Sequence, residues 1–240
     1  MRITRLIVST LVAFVALLSS AQAIKHVAAD FSAYKPLFET LGLDVVSYDI
    51  TGLSEQKYDF AFEIREYSKD CDSLKLISQT PLVSLSNLSY ISDFPESSRN
   101  EIHESGNAYD LDKDIYTLAD KVNIGICPDF KNDAIVKIII DVAQMGTLTM
   151  QRRLKEQHGN DGFTILNYEV RPFLVDEFVP GKFIPMALYS SWWWDDKFNI
   201  FRFCGDSSIS SDLSSEIVSN IPHFYVIGAT VSPAKKKGSK

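Results

Sequence analysis

Five consecutive residues, Trp192-Trp193-Trp194-Asp195-Asp196, hold every tryptophan in the chain with two carboxylates beside them. Successive side chains of a strand point to opposite faces, so three adjacent tryptophans do not all enter one core. At least one faces outward, or the loop folds over. A flat indole face with nearby acceptors is the chemistry that grips a sugar ring or another apolar-faced ligand, the ring stacking and the acceptors taking its hydroxyls. In the plainer alternative, two tryptophans cap the core and the third packs beneath a neighbouring loop. Asp195 and Asp196 are also the carboxylate pair to inspect for glycoside hydrolysis, because such pairs meet in space and not in sequence. Ordinary loop acids are the simpler account of them.

Other constellations are missing. No Gly-x-Ser-x-Gly, His-Glu-x-x-His, phosphate loop or dinucleotide fingerprint occurs. His26, His103, His158 and His223 are scattered, with no ligand spacing. Cys71, Cys127 and Cys204 make an odd count, so at least one thiol is free or pairs between chains. They read as small buried residues, with a Cys71–Cys127 disulfide as the alternative in an oxidising compartment. Asp110, Asp112 and Asp114 form an Asp-x-Asp-x-Asp run. A calcium loop of the EF-hand type would want Gly and Glu where Ile115 and Lys121 stand, so the run reads as a solvated acidic loop. The sequence thus assigns no catalytic residue, no metal ligand and no cofactor.

The elements that position the tryptophans follow an address. Arg2 and Arg5, the apolar run Leu6 to Leu18 and the site Ala21-Gln22-Ala23 predict a secretory signal over residues 1–23. The run is too short to span a bilayer permanently, and no later stretch is long enough. The expected mature chain, 24–240, is one domain, with two small sandwiches meeting near Pro128 as the alternative. Removing Arg2 and Arg5 takes the formal charge from −7 to −9. That surface argues against nucleic acid and against electrostatic binding to anionic lipid. Lys235-Lys236-Lys237 reads as a solvated terminus.

Short strands punctuated by Gly and Pro dominate the rest. Ile135 to Val142 is β-branched and apolar on both faces, which places it near the centre of a sheet. Thr147 to Glu156 has helix-forming residues, yet Leu148, Met150 and Leu154 fit a two-residue period. A strand paired with Phe163–Val175 across the Gly159-Asn160-Asp161-Gly162 turn is the favoured reading. Asp44–Thr51, Lys57–Tyr67, Leu74–Ser78, Leu82–Ile91, Ile115–Leu118 and Lys121–Cys127 are further strands, Pro81 splitting the third from the fourth. Lys182–Tyr189 carries Pro185, which suits an edge or a bulge. Phe198–Cys204 returns from it, so the tryptophans sit at a hairpin tip, and His223–Val231 is the last strand. Short helices are expected over Lys35–Leu41, after Pro95, and from a Ser211 cap to Asn220.

The phrases Val46-Ser47-Tyr48-Asp49-Ile50-Thr51-Gly52-Leu53 and Lys57-Tyr58-Asp59-Phe60, with the signal and the length of 240 residues, resemble exported proteins of gut Bacteroidetes. The likeness is to their uncharacterised secreted families, and it covers most of the mature chain. It implies a periplasmic or cell-surface location and brings no active site. On it, the sequon Asn87-Leu88-Ser89 is a coincidence. The expected fold is mainly β (α+β), an antiparallel β-sandwich with two or three short helices. The expected function is a non-catalytic envelope binding module that takes a glycan or another apolar-faced ligand at Trp192, Trp193, Trp194, Asp195 and Asp196. The alternatives are an assembly component whose aromatics meet an envelope protein, and a hydrolase whose acids converge only in the fold.

Overall fold

The computed structural model describes residues 31–70, 73–160, 162–175, 178–203 and 208–234. The signal expected over 1–23, Cys71, Cys204 and the three tail lysines lie outside them. The chain divides into two compact units, residues 1–38 and 39–240. The described part of the first begins helix α1 (Phe31–Thr40), which stops before Gly42 at φ +66°. The remaining elements belong to the second unit.

Strands β1 (Asp44–Asp49), β6 (Lys121–Pro128), β7 (Ile135–Val142) and β8 (Gly146–Arg153) form an antiparallel sheet in that order. A six-stranded sheet runs β15 (Ile209–Ser210), β11 (Tyr168–Leu174), β12 (Phe183–Ser191), β16 (His223–Pro233), β2 (Tyr58–Asp70), β3 (Ser73–Ser86). Its β11–β15 pair is parallel and its other pairs are antiparallel. Two-stranded pairs are made by β4 (Leu88–Tyr90) with β5 (Ile115–Leu118), β9 (Gln157–His158) with β10 (Thr164–Ile165), and β13 (Trp193–Asp195) with β14 (Ile200–Arg202). Helices α2 (Glu96–Ser105) and α3 (Glu216–Asn220) are short. The protein is thus mostly β, sandwich-like, with three short helices among the described residues. None of these helices is long and apolar enough to cross a membrane.

The alternation of apolar residues builds the sandwich. Val136, Ile138, Ile140 and Val142 of β7 and Val122, Ile124 and Ile126 of β6 are buried from one side. They meet Phe60, Phe62 and Ile64 of β2 and Tyr225, Ile227 and Ala229 of β16 in one core. The six-stranded sheet is covered on its other face as well. Phe173, Leu188, Phe224 and Val226 pack there against Ile217, Val218 and Ile221 from α3 and its C-terminal end. Strands β12 and β16 are therefore buried along most of their length, as sheets covered twice require.

Four expectations are corrected. The partner of β8 is β7, not β11. A turn closed by Met145 N–H to Val142 O (2.8 Å), with Gln144 at φ +64°, brings the chain straight back. Glutamine is not a residue that announces a positive φ, so the turn is silent in the sequence. The Gly159–Gly162 turn closes only the short β9–β10 pair, and β11 joins the other sheet. Residues 73–86 form one strand through Pro81, which an edge position permits. Pro185, by contrast, takes the bulge that is one of its two expected places, between Pro185 and Ala187 of an interior strand. The last helix begins at Glu216, because Leu213 at φ +61° interrupts a start at Ser211. Cys127 is a free thiol, so the Cys71–Cys127 alternative is not formed.

Candidate functional site

β12 runs out of the six-stranded sheet directly into the tryptophans. Trp192 N–H still bonds Asn167 O (3.0 Å), and β13 then departs as one arm of a hairpin. Asp195 closes the tip. Its Oδ1 accepts from Lys197 N (3.0 Å) and Phe198 N (3.3 Å), its carbonyl accepts from Asn199 N (2.8 Å), and its Oδ2 pairs with Arg202 Nε (2.8 Å). Asn199 takes the left-handed conformation that asparagine tolerates, at φ +55°. Asp196 Oδ1 accepts from Asn160 Nδ2 (2.6 Å), which fastens the tip to the Gly159–Gly162 turn.

The three indoles are each half-buried and have different surroundings. Trp192 turns away: its Nε1–H donates to Glu169 Oε1 (3.2 Å) and its ring stacks on Phe203 at 6.1 Å. Burial raises the Glu169 carboxyl above its ordinary range, against the Trp192 bond. Trp193 packs against the core beneath α3. Trp194 sets its ring edge-on to Phe201 at 5.0 Å, and its Nε1 is sealed from solvent without a hydrogen-bond partner among the described residues.

Trp193 and Trp194 form one wall of a cleft of about 940 Å³. Asp195, Asp196, Lys197 and Arg202 lie along its rim, and Leu174 and Ile217 add apolar surface. The rest of the lining is hydroxylic: Ser208, Ser210, Ser214 and Ser215, with Asn220 at the end of α3. Parallel pairing of Phe173 with Ile209 holds Ser210 in place, and Asp212 anchors Ser214 through N–H (2.9 Å) and Oγ–H (2.6 Å). Of the five residues expected from sequence, four line this cleft and Trp192 does not. Both carboxylates of the would-be hydrolytic pair are engaged in holding the tip.

The serine wall escaped sequence reasoning, although Ser207 to Ser215 is visibly serine-rich. Its place in the same cleft as the tryptophans depends on the parallel β11–β15 pairing, which no local pattern signals. The acidic run is a loop device. Asp110 accepts from Lys113 N (3.1 Å), and Asp114, at φ +61°, holds Ser92. Among the described residues no three His, Cys, Asp or Glu side chains gather as metal ligands.

No curated protein and no solved structure matches the chain. A family model described as Domain of unknown function (DUF5041) matches residues 13–233, and the chain belongs to that family.

Proposed function

We propose that this is an exported, non-catalytic binding module of the kind gut Bacteroidetes place in the periplasm or at the cell surface, and that it takes a glycan in the cleft beside the tryptophan hairpin. The observation that carries the reading is that Trp193, Trp194 and four serines line one cleft of about 940 Å³. An indole offers the apolar face on which a pyranose stacks, and serine both donates and accepts, as sugar hydroxyls do. The volume lies within the range of small-ligand sites. Two acids and two bases on the rim leave it without net charge, which favours a neutral sugar. Engagement of Asp195 and Asp196 within the hairpin supports binding over hydrolysis.

The test is a screen of neutral oligosaccharides read by tryptophan emission, since every tryptophan of the protein lies in this segment. A binder should shift the emission saturably. Trp194→Ala should weaken it by about tenfold or more, a loss of about 1.4 kcal/mol, while Trp192→Phe leaves it intact. Equal losses from both variants, or emission indifferent to every glycan, would remove the cleft as the site.

A further inference from the structure

A second cavity, of about 370 Å³, opens at the end of the sandwich where β1 gives way to the turn after it. Its floor is core: Phe60, Met186, Ala229 and Val231 are each at most 5% exposed and each line it. Val175 and Phe178 stand at its mouth and are more than a third exposed. The cavity opens to solvent, and its lining is apolar but for Tyr48 and Asp49 among the described residues. A concave, mainly apolar pocket of this kind takes apolar guests. Met186 adds an unbranched, adaptable wall that accommodates guests of varied shape.

The few polar groups are already spoken for. The Tyr48 hydroxyl reaches the carbonyls of Phe173 and Met186. Asp49, the charged residue among the described lining, accepts from Thr51 N (2.8 Å) and Thr51 Oγ1 (2.7 Å). Those bonds hold its carboxyl below the usual range, with Lys121 across the β1–β6 pair adding to the effect. A carboxylate at the mouth disfavours an anionic head, and no buried residue of the described lining offers a charged head a partner.

We infer that this cavity is a second binding site, separate from the tryptophan cleft, and that its ligand is the aliphatic chain of a small amphiphile with an uncharged head. The chain lies on Phe60, Met186, Ala229 and Val231, and the head remains at the mouth beside Asp49.

The experiment is a titration of the full chain with N-phenyl-1-naphthylamine, a neutral apolar dye, at pH 8, with displacement by 1-decanol and by decanoate. The dye should bind saturably at one site and be displaced by decanol, with decanoate weaker by about tenfold. Two variants localise it. Ala229→Leu fills the cavity from within. Gly52→Phe adds bulk at the mouth, where a new Cβ meets no atom within 4 Å, so the fold is spared. Each should weaken the dye by about tenfold or more. Should Ala229→Leu fail to fold, Gly52→Phe decides. Absence of saturable binding, or binding unchanged in Gly52→Phe, overturns the site. Displacement by decanoate as good as by decanol overturns the uncharged head.

Discussion

At the scale of single residues, Asn87 shows how one side chain can hold a loop that no strand holds. It is fully buried. Its Oδ1 accepts from Tyr58 N (2.7 Å), and its Nδ2 donates to Leu53 O (2.6 Å) and Gln56 O (3.1 Å). It thereby ties the start of β2 to the turn before it. In the folded protein the amide nitrogen of that sequon is buried and hydrogen-bonded. Asn87→Ala removes the partner of one N–H and two carbonyls at a part-buried site, and should cost about 2 kcal/mol in urea denaturation at pH 7.5. Asn87→Asp conserves the volume and should cost at least as much, because a carboxylate faces the two carbonyls the amide nitrogen served. A fully stable Asp variant would mean that volume, not hydrogen bonding, matters there. Trp194 is the opposite case. Its N–H has no partner to lose among the described residues, so Trp194→Phe should leave the urea midpoint nearly unchanged.

At the scale of elements, the interior pair β12 and β16 is the tightest place in the molecule. Pro185 stands opposite Gly228, next to the bulge. A Cβ added at Gly228 would fall on the Ile184 carbonyl oxygen and lie 2.6 Å from Phe183 Cζ. Backbone and a ring wedged beneath the Arg65 guanidinium (3.6 Å) both resist displacement. Gly228→Ala should therefore lower stability by about 2–3 kcal/mol, read as a drop in urea midpoint with unchanged slope. A neutral Gly228→Ala would mean that the bulge is free to move. This site also marks how far the sequence could be read. Alternation made the strands of the first half legible, and β7 and β6 were found nearly residue for residue, since one face of each is buried. It was mute where both faces are buried: nothing in Lys182–Tyr189 separates an interior strand from an edge one, and Pro185 allowed either an edge or the bulge that is found. A return of the chain after the tryptophans was legible, but its partner was not: residues 200–202 pair with Trp193–Asp195 and not with Lys182–Tyr189, so Trp193 and Trp194 lie on an arm of the hairpin and not at its tip. The serines of the cleft were not legible either, because contact between β11 and β15 is long-range and parallel. Nor was the order of strands, which puts the last strand, β16, between β12 and β2.

At the scale of the whole molecule, the two sheets are clasped at one end by a polar network whose members are far apart in sequence. Tyr225 Oη–H donates to Arg153 O (2.7 Å), crossing from β16 to β8. Tyr168 Oη accepts from Lys155 N (3.1 Å) and lies 2.6 Å from His223 Nδ1; His223 Nε2 is 3.2 Å from Glu66 Oε1, which Lys155 Nζ also meets at 3.1 Å. One proton arrangement satisfies the chain: Tyr168 donates to Nδ1, and a neutral His223 donates from Nε2 to an ionised Glu66. Burial of His223, at 1% exposed, pushes its pKa down to about 4 from 6.5, with Lys155 adding and Glu66 opposing. Burial works against the Glu66 charge, yet the bonds from His223, Lys155 and Ser78 hold its carboxyl below the usual range. Both groups act in one direction. Between pH 6.5 and 4 the unfolded chain takes up a proton on His223 that the folded protein refuses, so stability falls as pH falls. Its full extent is about 3 kcal/mol, at about 1.4 kcal/mol per pH step. The Glu66 contribution is present above its unfolded pKa and is lost as pH falls through its lower folded value, extending the decline. Urea denaturation at pH 7.5 and 4.5 should therefore show a loss of about 2–3 kcal/mol in the wild type. His223→Gln keeps a donor toward Glu66 without the titration. It should be less stable at pH 7.5 and nearly flat across that interval. A variant as acid-sensitive as the wild type would place the titrating group elsewhere. The clasp ties β8 to the six-stranded sheet at the end of the sandwich away from the apolar cavity, so acid should loosen that seam before it reaches the cavity's core floor.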